Sequence, residues 1–316
     1  MVRPETYAEI AECVQRTLLT KQGRSHIAKR RVAAEKMAKG LRALERSGWV
    51  LNARRRNIGT TRTVFTVRQG FLQQATKGLE VSVEIRGIGV GTLLPPTRGN
   101  KYPLLRTLES EPRKLEWGAS EALEYIRKRA EKTKPSPERE LQGVLVRDMS
   151  SSPKHDLLKN LHPVLPARCM MEIPAAVTAD GSIGTGNIDV LARTGRGRNV
   201  RYVVCELKVD KTTPYGAMVQ AIRYAAALSV EVNGIEDEIE PADRSVYRSS
   251  FGSKSTLQEA LRFGAMAIIP NARGAEAAAR KALDDLDADD AWLDVMLFDW
   301  DKHGDLLPRY RLAGAG

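Results

Sequence analysis

An aspartate, a glutamate and a lysine stand where two short strands would bring them together. GNIDVLA holds Asp189 between the apolar Ile188 and Val190, and RYVVCELKV holds Glu206 and Lys208 two residues apart at the end of an apolar run. Strand side chains alternate faces, so Val204, Glu206 and Lys208 share one face while Cys205 and Leu207 share the other. The intervening TGRGRN, 194–199, is a natural hairpin turn, and pairing across it sets Asp189 near Glu206. Two carboxylates side by side in a buried sheet are costly unless something neutralises them. Magnesium does so with a few carboxylate oxygens while keeping several waters; it can activate a water, orient a phosphate and stabilise developing charge. Lys208 would then steady the attacking water or the phosphate. The bland alternative is an exposed Glu206–Lys208 salt bridge at a fraying strand end, worth about 0–1 kcal/mol. That alternative leaves Asp189 unexplained.

The elements that must position these groups follow from periodicity. TKPSPERE, 133–140, with two prolines and a serine, marks a boundary, and Pro137 stands near the first helical position of PERELQGVLVRDM. MEIPAAVT, GNIDVLAR and RYVVCELKV read as strands and PYGAMVQAIRYAAALSV as a helix. GAMAIIP is a short buried strand, AEAAARKALDDL a helix, and LDVMLFDWD and LLPRYRL are closing strands. This order predicts an α/β domain over 137–316, one mixed sheet flanked by helices.

D189…E206-L207-K208 resembles the PD-(D/E)XK nuclease superfamily, the restriction-endonuclease-like fold, over about Pro137 to at least Leu228. The resemblance implies a metal bound by Asp189, Glu206 and the carbonyl of Leu207, with Lys208 catalytic. The metal so implied is Mg²⁺, with Mn²⁺ able to substitute. Many members carry a glutamate on the helix before the hairpin, and PERELQ offers Glu138 and Glu140. At about 100° per residue Glu138 falls on the face of Leu141, Leu145 and Met149, and Glu140 falls off it, which selects Glu138 as a further catalytic and metal-binding residue. Some branches have Q-x-x-x-Y on the helix after the lysine; Gln220 and Tyr224 stand four residues apart on one helical face. No proline precedes Asp189, a departure the family often shows.

The net charge of +11 is concentrated near the N-terminus: residues 1–76 hold 16 Lys/Arg against 5 Asp/Glu, and the remaining chain holds 34 of each. A basic module on a neutral body suits a polyanion. Tyr7, Ile10, Val14 and Leu18 recur on one helical face, as do Ala34, Met37, Leu41 and Leu44. GWVLNA and TRTVFTV then read as two strands around RRRNIGT. Helices followed by a basic hairpin resemble a winged helix-turn-helix domain, which implies a reading helix in the major groove and a wing on the backbone. Lys29, Arg30, Arg31, Lys36 and Lys39 would lie on or near that helix, and Arg54, Arg55, Arg56 and Arg62 on the wing. The alternative is a small helical domain for protein contact.

The remaining signals bound the reading. With 42% hydrophobic and 28% charged residues the chain is globular, not disordered. No apolar run approaches the roughly 20 residues that span a bilayer, and MVRPETYAEIAEC lacks a secretory apolar core. Three cysteines without a CxxC pair and four scattered histidines exclude a zinc ribbon and predict a reducing cytoplasm. GIGVG has no GK[ST] and DDLDADD no EF-hand Gly or terminal Glu, so neither reads as a ligand loop. The division expected is a basic winged-helix-like domain, 1–76, a connecting region, 77–136, and a nuclease domain, 137–316. The activity expected is Mg²⁺-dependent DNA hydrolysis in restriction, antiviral defence or repair, with DNA as partner and a homodimer or a defence or repair complex as the further assembly. The alternative is a non-catalytic DNA-binding protein or complex subunit that keeps the fold as a scaffold.

Overall fold

The computed structural model describes residues 5–32, 65–67, 81–85, 89–94 and 104–107, the single positions 138, 141, 142, 145 and 149, and residues 156–158, 160–163, 171–195, 200–209, 212–242, 261–287, 292–300 and 306–313. Helix α1 (Tyr7–Leu19) starts at a capping box: the Thr6 hydroxyl accepts from the Glu9 N–H, and Glu9 reaches back to the Thr6 N–H at 2.8 Å. Its predicted stripe is buried at Ile10, Val14 and Leu18. A second helix, α2, covers 21–32 and buries Ile27.

Further along, β1 (Phe65–Val67), β2 (Val81–Ile85), β3 (Gly89–Leu94) and β4 (Leu104–Thr107) form one antiparallel sheet in that order. The connecting region therefore contributes β2, β3 and β4 to a sheet. Because β1 pairs with β2, a boundary at residue 76 cuts through this sheet.

The larger sheet contains β5 (His162–Pro163), β6 (Met171–Val177), β7 (Ile183–Thr194), β8 (Arg201–Leu207), β9 (Arg262–Pro270), β10 (Leu293–Trp300) and β11 (Leu306–Ala313). Its order is β11-β10-β9-β8-β7-β5, with β6 also on β7. The β7–β8 pair is antiparallel across the predicted hairpin, whereas β8, β9 and β10 run parallel. Parallel neighbours need crossovers, and helices supply them. Helix α3, helical at 138, 141, 142, 145 and 149, precedes the sheet's long strands in the chain; the crossovers themselves are α4 (Pro214–Asn233) and α5 (Ala275–Leu286). The chain is thus a mixed α/β protein with an open mixed sheet. Among the described residues no helix is long and apolar enough to cross a membrane.

The core has two parts, one on each face of this sheet. Leu141, Leu145 and Met149 of α3 pack with Val190, Val203, Cys205, Leu207 and Ile268. On the other face α4 and α5 pack with Leu191, Val204, Ala267 and Val295. Helix α4 is apolar almost all round, as a helix enclosed by neighbours must be. It ends at Gly234, whose φ of 77° places it where a side chain would collide with the Ile239 carbonyl.

Ile10, Val14, Leu18 and Ile27 belong to the same cluster as α4. Arg30 is 4% exposed and its guanidinium meets the Glu231 carboxylate of α4 at 2.6 Å. Arg31 donates to the Glu231 carbonyl at 3.0 and 2.8 Å, satisfying a group in the last turn of α4 that the helix itself leaves open. The expectation of a separate module over 1–76 is therefore corrected for residues 5–32: they complete the core of the C-terminal body. Arg30 is corrected with it, since it is buried on Glu231 and closed to a phosphate; Arg31 is partly buried and Lys29 is exposed. Lys36, Lys39, Arg54, Arg55, Arg56 and Arg62 lie outside the described residues.

Candidate active site

The β7–β8 ladder runs from Thr194↔Arg201 to Val190↔Cys205 and stops there. The next position would be Asp189 opposite Glu206. Strand β8 stays attached to its other neighbour, since Leu207 is in register with Ile268 and the Lys208 N–H donates to the Ile268 carbonyl at 2.9 Å. Alternation turns the Leu207 N–H the other way, toward β7, where the ladder has ended. The Asp189 carboxylate takes the missing partner's place, accepting that N–H at 2.8 Å through Oδ2. A strand residue's carbonyl points to the same side as its N–H, so the Leu207 oxygen also faces the opening. The predicted set of Asp189, Glu206 and the Leu207 carbonyl is brought together where two strands part.

The electrostatics there are strained. Asp189 is 5% and Glu206 2% exposed. Burial, chiefly, pushes the Asp189 carboxyl up to about 7; the Leu207 N–H opposes this and the Glu138 charge adds to it. Burial, then the neighbouring Asp189, hold Glu206 well above the usual carboxylate range. Lys208 Nζ donates to Glu206 Oε1 at 2.7 Å, while the buried Glu206 Oε2 receives no donor, and a hydrogen bond to Asp189 favours the protonated form of Glu206. Burial alone would lower Lys208; Glu206, Asp189 and Glu138 outweigh it, and its pKa is raised. Lys208 is thus a firmly charged ammonium, a donor and not a base at neutral pH.

Helices supply the rest. On α4 the Gln220 amide donates to the Tyr224 hydroxyl at 3.1 Å. Burial, then the charge of Glu206 and, less, that of Asp189, raise the Tyr224 phenol. Gly186 of β7 leaves room for the Tyr224 ring: a Cβ there would collide with Tyr224 Cε1 and the Val177 carbonyl. On α3 the apolar stripe is buried as predicted, and Glu138 itself is exposed while acting electrostatically on both Asp189 and Lys208. Glu140 lies outside the described residues.

No family model, curated protein or solved structure matches the chain. The chemistry of the site is what remains to assign a function. Among the described residues no three His, Cys, Asp or Glu side chains converge as a cage. Magnesium does not require one: it binds through one or two carboxylates and keeps waters. A buried carboxylate oxygen that receives no donor, beside a second buried carboxylate, fits such a cation.

One residue of the site escaped the sequence analysis. Gln142 is fully buried, and its Nε2 donates to Asp189 Oδ1 at 2.8 Å. The signal was present: an amide one turn after Glu138, next to Leu141, on the edge of an otherwise apolar stripe. Cys205 is buried on the α3 face with its thiol pushed far up by burial, which makes it inert. His155 is outside the described residues, and His162 begins β5.

Proposed function

We propose that this protein is a metal-dependent DNA nuclease of the PD-(D/E)XK type, built on a restriction-endonuclease-like fold. One observation carries the reading: two nearly fully buried carboxylates, Asp189 and Glu206, sit where β7 and β8 part, and Glu206 has one oxygen paired with Lys208 and the other receiving no donor. A chain has little structural reason to bury like charges together; a divalent cation and a phosphate give it a functional one.

Asp189, Glu206 and the Leu207 carbonyl would hold Mg²⁺, or Mn²⁺ in its place, with Glu138 at the exposed rim. The chemistry a bound Mg²⁺ supplies is neutralisation of the site's charge and polarisation of a water and a phosphoryl oxygen. The chain's residues do the remainder. Asp189 is held from both oxygens, so its orientation is set before substrate arrives. Lys208, firmly protonated, donates to the attacking water or to a phosphoryl oxygen as negative charge builds there. Tyr224 and Gln220 close the α4 side. DNA is the polyanion that best suits the basic surplus, and the winged-helix-like contact proposed for it now rests on Lys29, on Arg31 and on the residues beyond 32.

The test is nicking of a supercoiled plasmid in Mg²⁺ and in chelator. Cleavage should require metal and disappear in Asp189→Ala, Glu206→Ala and Lys208→Ala, each still folded by circular dichroism and each still binding DNA. Full cleavage by these variants assigns the activity elsewhere. Binding without cleavage by the wild-type chain favours a scaffold that has kept the fold and not the chemistry.

A further inference from the structure

Gln142 stands out because it is a fully buried amide on a helix that otherwise gives apolar side chains to the core. It lies on α3 with Leu141, Leu145 and Met149, which pack against the sheet. A buried amide is tolerated only when its groups are bonded. The Nε2 end faces Asp189 Oδ1, since the opposite orientation would set an amide oxygen against a carboxylate. With the Leu207 N–H on Oδ2, each carboxylate oxygen receives one donor, at 2.8 Å in both cases. Two donors on the two oxygens fix the plane of the carboxylate, and each oxygen keeps a second lone pair. Both donors are neutral. An arginine or lysine at 142 would hold the same oxygen but cancel the charge that attracts a cation. Glu138 lies one turn earlier on the same helix and acts on the same aspartate, so α3 addresses the site through residues four apart.

We propose that Gln142 is a positioning residue for the metal: a neutral donor that orients Asp189 as a ligand while leaving its negative charge available to a divalent cation. The inference rests on the metal reading of the site above. Partners behind metal ligands are commonly worth 10- to 100-fold in affinity, and Gln142 touches one ligand through one bond, which sets the expectation at about tenfold.

The experiment is Mn²⁺ binding by calorimetry to the full chain, without DNA, for wild type, Gln142→Met, Gln142→Asn and Asp189→Ala. Gln142→Met keeps length and volume and removes the donor; Gln142→Asn keeps an amide but falls short of Asp189 by one methylene. Both should bind Mn²⁺ roughly tenfold more weakly. Cleavage should need correspondingly more Mg²⁺ while reaching a near wild-type rate at saturation, a split that simple loss of stability would not give. Whichever variant melts close to wild type serves for the comparison. Wild-type affinity in a folded Gln142 variant, with binding lost in Asp189→Ala, overturns the role of Gln142 and leaves the metal site standing. Absence of Mn²⁺ binding by the wild-type chain overturns both.

Discussion

Asp189→Asn should make the metal-free protein more stable. The substitution keeps the shape and removes the charge. Its partners adapt: the Leu207 N–H can donate to the new amide oxygen, and the Gln142 amide can turn so that its oxygen accepts from the new NH₂. The carboxyl of Asp189 is shifted from its ordinary 3.8 to about 7. At about 1.36 kcal/mol per pH unit this corresponds to ~4 kcal/mol against the charged form, a ceiling because relaxation and water entry ease the burden. The sign follows from linkage. A folded-state pKa above the unfolded one gives stability that is full below about pH 4, where both states are protonated, and that is lost as pH rises through about 7. Asparagine has no such loss. In chelator, urea unfolding should therefore give similar stabilities for wild type and variant near pH 4 and a growing advantage for the variant up to pH 8. Saturating Mg²⁺ should reverse the order, because only the wild type gains the binding free energy. A variant no more stable than wild type at pH 8 in chelator, or an advantage that does not shrink on acidification, would refute the claim that the site holds unneutralised charge.

Two further outcomes test the architecture. Glu231→Ala leaves Arg30 buried and should cost about 3–5 kcal/mol in urea unfolding, whereas replacing Arg30 and Glu231 together by methionine should be near neutral; a loss under about 1 kcal/mol would mean that residues 5–32 are not integral to the body. Neutralising Arg54, Arg55 and Arg56 together should lower the slope of log affinity against log salt by about 0.9 for each phosphate the arginines no longer neutralise, and an unchanged slope in a salt-titrated binding assay would exclude those arginines from the DNA interface.

Much of the larger sheet was legible in the sequence because its signals are local. Helix α5 occupies the predicted AEAAARKALDDL, and the alternation of RYVVCELKV put Glu206 opposite in facing to Cys205, as the two sides of the core show. What α1 and α2 pack against was not legible. The stripe Ile10, Val14, Leu18 says that one face is buried and nothing about the surface that covers it. Arg30 reads as one more cation in a basic run, and only its distant partner, Glu231, turns it into a core residue. Gln142 is hard to see for a related reason: helix phase chooses between two glutamates, but a polar residue on the neighbouring edge of the stripe shows its role only once the partner of its hydrogen bond is known. The hairpin placed Asp189 near Glu206, but pairing rules alone would have continued the ladder through them.

That interruption is what the fold has to support. Ending a ladder in the middle of a sheet frees backbone groups that cannot stay unpaired in a core. Here each strand keeps its outer neighbour past the point of separation. Strand β7 remains on β6 through Met171↔Val190 and Ile173↔Ile188, and β8 remains on β9 through Leu207↔Ile268. The Leu207 N–H, turned into the gap, is taken by Asp189. The gap is therefore held open by strands on either side of it, and a side chain of the site closes the backbone's own deficit. Asp189 consequently has a structural bond to lose as well as a chemical role. Asparagine can keep the bond and alanine cannot, so a difference in stability between Asp189→Asn and Asp189→Ala reports the structural part, and any difference in cleavage between wild type and Asp189→Asn reports the charge.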